Sequence, residues 1–194
     1  MHHIHHTHGF ILSSRNRGEA NKMFAIYTRE MGLVWAVAQG VRLHKSKLRF
    51  TLQDFSYINV DLVRGKEIWR VTSAKHITSF PLARRSSDSL LLITRVSRLL
   101  ERLCTGEEPS GSIFDDFLQA LYLLDDEAVS RESREALELH LILRIMNKLG
   151  YVGDSGILVQ YLTEGLDYSK TEKLLKDRQS IIAHINKALN ESQL

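Results

Sequence analysis

The feature that most constrains the fold is a change in hydrophobic periodicity near Phe80 and Pro81. Before this point, short β-rich runs alternate with polar breaks. After it, apolar residues recur at intervals of three and four, as on one face of a helix. Because proline disfavours helix at the residue before it, Pro81 is a natural boundary. The sequence therefore predicts an α+β protein with a strand-rich domain at residues 9–80 and a helical domain at residues 81–194.

Five strands are predicted in the first domain, with turn signals such as Asn16-Arg17-Gly18 and Arg64-Gly65 between them. The runs are Phe10–Ser14, Met23–Thr28, Leu33–Ala38, Leu52–Leu62 and Ile68–Ala74. The third run is apolar at both of its alternating sets of positions, as expected for a strand of a small closed barrel. Five short strands in this space predict an OB-fold barrel.

The second domain shows helical start and stop signals. An apolar stripe runs from Leu92 to Leu103, and Ser112 with Asp115 resembles a capping box before a second helix. Ser130 is predicted to cap a third helix that stops at Gly150. That helix is apolar nearly all round, so it should be the central one. Ser169 and Glu172 predict the start of one last helix, which contains Ile181, Ile182, Ile185 and Leu189.

Residues 1–8 are rich in histidine, with imidazoles at positions 2, 3, 5, 6 and 8. Two interpretations are open: a flexible arm without fixed geometry, which we favour, and a site for a divalent metal. No export signal or membrane-spanning run is visible, and a single cysteine, Cys104, fits a reducing compartment. We therefore expect a cytoplasmic protein.

The charge is divided unevenly along the chain. Residues 1–80 contain 12 Lys and Arg against 5 Asp and Glu, a net charge of +7, whereas residues 81–194 carry −4. A basic domain attracts polyanions, and phosphate backbones are the commonest of these in the cytosol. The alternative is an ordinary solvated surface with an excess of cations.

The densest basic segment is Val41–Arg49, which follows the third strand and is called the basic loop below. Cations would bind phosphates, and flat aromatic side chains would stack on bases. Tyr27, Trp35, Tyr57 and Trp69 are aromatic candidates, although an aromatic residue in a barrel strand is more often part of the core. The predicted nucleic-acid-binding residues are Arg15, Arg17, Lys22, Arg29, Arg42, Lys45, Lys47, Arg49 and Tyr57.

The common sequence signatures of catalysis are missing from the chain. There is no phosphate-binding loop, no dinucleotide-binding glycine turn and no His-Glu-x-x-His pair. His140 lies between leucines on a helix, where a packed histidine is the simpler interpretation. The sequence thus predicts a non-enzymatic protein with no cofactor and no metal site.

The first half resembles the RecO family, the bacterial recombination mediators of the RecF pathway. The similar residues include a Gly-Glu turn at 18–19, Thr-Arg-Glu-Met-Gly at 28–32, Gly-Val-Arg at 40–42 and Leu-Gln-Asp-Phe at 52–55. Further on, the run from Leu143 to Tyr151 is similar to that family's long helix and its Leu-Gly-Tyr ending. The resemblance is strong to about Leu62 and looser after it.

The resemblance implies an OB fold, binding of single- and double-stranded DNA, annealing of complementary strands and help in loading RecA. It implies as partners RecR and the acidic tail of single-stranded DNA-binding protein. Arg95, Arg98 and Arg102, beside the Leu92–Leu103 stripe, are candidates for holding that tail, although a solvated helix face is the simpler interpretation.

Two departures from the family pattern stand out. Gln39 occupies a position where the family usually has Lys, and the four-cysteine zinc knuckle of many members is missing after Leu-Gly-Tyr. We therefore expect a compact, zinc-free variant. The competing function class is an adaptor whose barrel binds a protein rather than DNA.

Overall fold

The computed structural model describes residues 3–104, 106–153, 156–163 and 165–191. Its strands are β1 (Ile4–Arg17), β2 (Asn21–Thr28), β3 (Gly32–Ala38), β4 (Tyr57–Arg64) and β5 (Trp69–Thr78). Its helices are α1 (Leu48–Thr51), α2 (Pro81–Arg85), α3 (Ser87–Leu103), α4 (Gly111–Leu124), α5 (Arg131–Lys148), α6 (Val159–Leu162), α7 (Thr171–Lys176) and α8 (Arg178–Glu191), with a 3₁₀ turn at Gly156–Leu158.

The five strands form a closed barrel in the order β1-β2-β3-β5-β4. All neighbouring pairs are antiparallel except β3 and β5, which are parallel. Alternate residues point inwards and form the core; they include Ile11, Phe24, Ile26, Val34, Ala36, Ile58, Val60 and Leu62. A β-bulge between Ile11 and Ser13 bends β1, so that its first half pairs with β4 and its second half with β2. The predicted five-stranded barrel and the helical region after it are confirmed.

The start of the chain differs from the prediction. Residues 4–8, expected in a flexible arm, belong to β1 and pair with β4. Thr7 points inwards and is buried, while His6 on the other face contacts Asp61 with 2.6 Å between Nδ1 and Oδ1. This segment forms a strand because exposed and buried side chains alternate along it, and the polarity of its histidines does not prevent strand formation. Met1 and His2 lie outside the described residues.

The fourth strand also begins later than predicted. Leu52 is buried, but it ends α1 instead of starting a strand, and the chain then turns at Phe55, whose φ is +65°. Phe55 N–H donates to the carbonyl of Ile11, and Ile11 N–H donates to the carbonyl of Ser56. Pairing with β4 proper begins at Tyr57.

The described residues divide into two compact units, and the division differs from the predicted boundary at Pro81. One unit holds the residues up to Pro81 together with Ile93–Gly111; the other holds Leu82–Leu92 and the described residues from Ser112 onwards. Ile93–Gly111 belongs to the barrel unit because the outward face of β2 and β3 is itself apolar and is buried by this segment. Tyr27 on that face is fully buried, and Gly32 lies directly against the backbone of Glu108.

The second unit is built around α5, as its apolar surface predicts. Buried residues lie on all sides of this helix, and it contacts α6, α7 and α8. Ser130 caps its N-terminus by accepting a hydrogen bond from Ser133 N–H, and Gly150 with φ of +80° ends it. The predicted last helix is two helices, because the chain breaks at Asp177, and Ser169 does not cap the first of them.

Candidate nucleic-acid interface

The structure brings two basic turns together at one end of the barrel. One is the basic loop, and the other is the turn between β1 and β2 with its flanking cations, Arg17 and Lys22. Arg42 Nη1 donates to the carbonyl of Gly18 at 2.9 Å, and Arg42 N–H donates to the carbonyl of Ala20 at 2.9 Å. Gly40 N–H donates to Asn21 Oδ1 at 2.8 Å. These bonds hold the start of the basic loop against the turn between β1 and β2.

Gly18 and Gly40 make this arrangement feasible. Their φ angles are +67° and +64°, in the left-handed region that glycine adopts at little cost. Each glycine therefore reverses the chain sharply at the end of a strand. The two reversals leave the backbone carbonyls and amides of the neighbouring turns within hydrogen-bonding distance of each other.

The basic loop and helix α1, which follows it, are anchored by apolar residues. Val41 and Leu52 are buried in the barrel core, and Leu48 packs against the same core. Arg42, Lys45, Lys47 and Arg49 are exposed between these anchors. Within the described part of the chain, the side chains of Lys45, Lys47 and Arg49 form no hydrogen bond or ion pair, so their charges face solvent.

Three cations of the β1–β2 hairpin lie at the same end. Arg17 is exposed where β1 ends, and Lys22 pairs with Asn16 at the start of β2. The Arg15 guanidinium lies 5.0 Å from the centre of the Trp35 ring, a cation–π distance. Because Arg42 connects the basic loop to the turn of this hairpin, we call Arg15, Arg17 and Lys22 together with the cations of the basic loop the positive surface. The turn also carries the carboxylate of Glu19.

Arg29 does not belong to this surface, contrary to the prediction. It lies in the turn between β2 and β3, and its N–H donates to the carbonyl of His8. Six residue steps along β2 separate Lys22 from Thr28, about 20 Å at the rise of a strand. Sequence proximity to the other cations is misleading because the strand carries Arg29 to the opposite end.

Tyr57 is also placed differently from the prediction of an exposed stacking platform. Its side chain is only 8% exposed, and its ring stacks on Phe10 with the centroids 4.8 Å apart. Its hydroxyl lies 3.3 Å from His8 Nδ1. The ring is therefore part of the packing between β1 and β4.

Of the other aromatic candidates, Trp35 alone keeps an accessible ring. Tyr27 is fully buried, and burial raises the pKa of its phenol. Trp69 is 5% exposed and donates its indole N–H to Glu107 Oε1 at 2.8 Å. Trp35 is half-buried beneath Arg15.

Sequence analysis missed Phe50, which is 77% exposed and lies within α1 next to Arg49. Leu43 in the basic loop is 57% exposed. The available signal was the spacing of Leu48 and Leu52, four residues apart, which directs the residues between them away from the core.

An acidic groove marks the limit of the positive surface. It is lined by Trp35, Trp69 and Cys104 together with the carboxylates of Glu67, Glu101 and Glu107. Glu107 also pairs with Arg64 at 2.7 Å. Burial raises the pKa of the Cys104 thiol, so this cysteine is a poor nucleophile. Like charges would exclude phosphates from the groove.

The three arginines of α3 form an exposed row at Arg95, Arg98 and Arg102. The stripe beside them is turned inwards, since Val96, Leu100 and Leu103 are buried. The row therefore offers positive charge, whereas the apolar part of the predicted tail site is used in packing.

Within the described ranges, no helix is long and apolar enough to cross a membrane. The same residues contain no group of three or more His, Cys, Asp or Glu side chains arranged to hold a metal ion.

Comparison with known proteins agrees with this architecture. Residues 1–80 match the family described as Recombination protein O N terminal, and residues 84–154 match Recombination protein O C terminal. The chain is 30% identical over 135 residues to the DNA repair protein RecO of Clostridium perfringens strain 13, which is 69% of this chain and 55% of that protein. It is 33% identical over 124 residues to RecO of Pelotomaculum thermopropionicum, 62% of this chain and 48% of that protein.

A third relative, RecO of Dehalococcoides mccartyi, is 32% identical over 136 residues, 70% of this chain and 54% of that protein. The chain thus spans about half the length of the curated relatives that it matches. The two family matches together cover the barrel and most of the helical region as far as residue 154. The chain belongs to the RecO family of DNA repair proteins.

Proposed function

We propose that this protein is a non-enzymatic, DNA-binding recombination mediator that anneals complementary strands and helps to load RecA onto single-stranded DNA. The observation that carries the proposal is the pair of basic turns joined by Arg42 at one end of the barrel. The cations of this surface are Arg15, Arg17, Lys22, Arg42, Lys45, Lys47 and Arg49.

The mechanism follows from the electrostatics of phosphate backbones. Two complementary strands repel each other, and each carries condensed counterions. A cluster of cations on the protein replaces those counterions, which are released, and lowers the repulsion between the strands. Lys45, Lys47 and Arg49 suit this role because solvent-facing charges have no internal pairing to break before they bind phosphate.

The test is annealing of complementary oligonucleotides, monitored by fluorescence energy transfer between labels on the two strands. A loop variant replaces Arg42, Lys45, Lys47 and Arg49 with alanine. A helix variant removes the same number of charges from exposed positions of α7 and α8, by replacing Lys173, Lys176, Arg178 and Lys187 with alanine. We expect the loop variant to lose annealing and the helix variant to keep it.

Equal annealing by the wild type and the loop variant would contradict the assignment. A wild type that neither binds nor anneals DNA would favour the competing function, a barrel that serves as a protein adaptor.

The partner surfaces are a separate part of the proposal. The exposed row of Arg95, Arg98 and Arg102 would attract the acidic tail of single-stranded DNA-binding protein, and RecR would act with this protein in RecA loading. Replacing Arg98 with Glu reverses the charge at the centre of the row. Fluorescence anisotropy with a labelled tail peptide should then show weaker binding, and undiminished binding would remove this surface from the account.

A further inference from the structure

Helix α1 presents an aromatic ring to solvent in a fixed position. Leu48 packs against the barrel core and Leu52, one turn later, is 3% exposed. Phe50 lies two residues from each, about 200° around the helix from Leu48 at 100° per residue. Anchoring of both leucines therefore forces the Phe50 ring outwards.

This exposure is not balanced by a local contact. Phe50 is 77% exposed, and its ring makes no aromatic or cation–π contact within the described residues. A single exposed apolar residue is common on protein surfaces, and exposure by itself carries no conclusion. The surroundings of Phe50 distinguish it.

The surroundings of Phe50 are positively charged. From Val41 to Thr51 the chain contains four cations and no carboxylate side chain. Arg49 is the next residue, and the Phe50 ring and the cations Lys45, Lys47 and Arg49 are all exposed. An exposed ring among cations matches the chemistry of a single nucleic-acid strand, which offers flat base faces between regularly spaced phosphates.

We infer that Phe50 is a stacking platform for an unpaired base of single-stranded DNA, while the cations around it hold the flanking phosphates. The inference rests on the proposed function and adds the form of DNA that the basic loop selects. Bases in a duplex are stacked on their neighbours and present no free face, so the ring contributes to binding of single strands only. The loop thereby gains a preference for the unpaired substrate that annealing requires.

The experiment measures binding of the full chain to a labelled thymidine strand longer than about 16 nucleotides, and to a duplex of equal length, by fluorescence anisotropy. Phe50→Ala should weaken single-strand binding by about five-fold or more, the lower end of the range for base–aromatic stacking. Binding to the duplex should change by less than a factor of about two. Phe50→Trp, which keeps a flat ring, should restore single-strand binding.

Leu43→Ala is the matched control, because it removes a second exposed apolar side chain, in the basic loop that leads into α1, without removing a ring. We expect its single-strand affinity to stay near that of the wild type. A strand containing 5-iododeoxyuridine provides a readout without substitution, since irradiation should crosslink it to the peptide that contains Phe50.

The outcomes separate this inference from the proposed function. Unchanged single-strand affinity in Phe50→Ala, or an equal loss on single strand and duplex, would overturn the stacking role while leaving salt-dependent DNA binding in place. A wild type without salt-dependent DNA binding would overturn both.

Discussion

Asp116 is a buried carboxylate held by two cations of a neighbouring helix. Arg144 Nε and Nη2 donate to its two oxygens at 2.8 and 3.0 Å, and Lys148 Nζ donates to Oδ2 at 2.5 Å. The side chains of Asp116 and Arg144 are only 7% and 10% exposed. Burial of charged groups is costly, so the pair is tolerated because each charge is neutralised by the other.

Asp116→Ala should destabilise the helical unit strongly, since it leaves the Arg144 guanidinium buried without its carboxylate. Removing one partner of a buried pair typically costs about 3–5 kcal/mol. Urea denaturation, monitored by circular dichroism, measures the loss in the free energy of unfolding. The control is Glu172→Ala, which removes an exposed carboxylate paired with Lys176 and should leave the midpoint near that of the wild type. Equal midpoints for the two variants would contradict the role of Asp116.

His140 is fully buried, and its Nε2 lies 2.6 Å from the carbonyl of Tyr161. A carbonyl only accepts, so Nε2 carries the proton and donates. Burial is the main cause that lowers the pKa of His140; nearby Arg144 and Lys170 lower it further, and the Tyr161 carbonyl and Asp116 act in the opposite direction. The folded protein therefore holds this imidazole neutral.

Stability should fall as the pH drops below about 6.5, the ordinary histidine pKa of the unfolded chain. Below that pH, position 140 binds a proton in the unfolded state more readily than in the folded state, so acid favours unfolding by up to about 1.4 kcal/mol per pH unit. His140→Gln keeps a donor for the Tyr161 carbonyl but does not titrate. Urea midpoints measured at a series of pH values should fall less steeply on acidification in the variant than in the wild type. Parallel curves would exclude His140 as a cause.

At the scale of elements, the segment after α3 covers the outer face of the barrel. Trp69 and Arg64 both contact the Glu107 carboxylate, and the Glu108 carbonyl lies against the Cα of Gly32. Gly32 has a φ of +64° and no room for a Cβ, because that atom would overlap the Glu108 backbone. This glycine therefore serves both the β2–β3 turn and the close approach of the segment.

Gly32→Ala should destabilise the barrel unit more than Gly18→Ala. Both glycines have positive φ, so each alanine pays about 1–2 kcal/mol for the left-handed conformation. A Cβ at Gly18 would meet no atom within 4 Å, whereas a Cβ at Gly32 would displace backbone. Thermal unfolding monitored by tryptophan fluorescence compares the two variants. An equal loss of stability would show that the contact with Glu108 is unimportant.

The elements that sequence predicts well are those with an apolar period and local caps. The third strand and α5 are examples, since Leu33–Ala38 lies within β3 and Ser130 caps α5 as its position indicates. The starts of β1 and β4 were missed because tertiary pairing decides them: histidines can occupy the outer face of a strand, and Leu52 anchors a helix end as readily as a strand.

At the scale of the whole molecule, charge and fold act together. The basic half of the chain forms the barrel, and strand pairing collects cations that are distant in sequence, such as Arg17 and Arg42. The basic loop could be predicted from composition alone. The absence of Arg29 and Tyr57 from the positive surface could not be predicted from the sequence. It depends on which end of the barrel and which side of a strand each residue occupies. Phe50 was missed because its exposure depends on how α1 is anchored.

The measurement that tests the central claim most directly is the salt dependence of binding to a single-stranded oligonucleotide between about 50 and 200 mM salt. With about four phosphates contacted, the logarithm of the binding constant should fall with the logarithm of salt concentration at a slope near −3. We predict this slope for the wild type and the helix variant, and a clearly shallower slope for the loop variant, which keeps only Arg15, Arg17 and Lys22 of the positive surface. Equal slopes for the wild type and the loop variant would contradict the claim that the joined basic turns hold the DNA backbone.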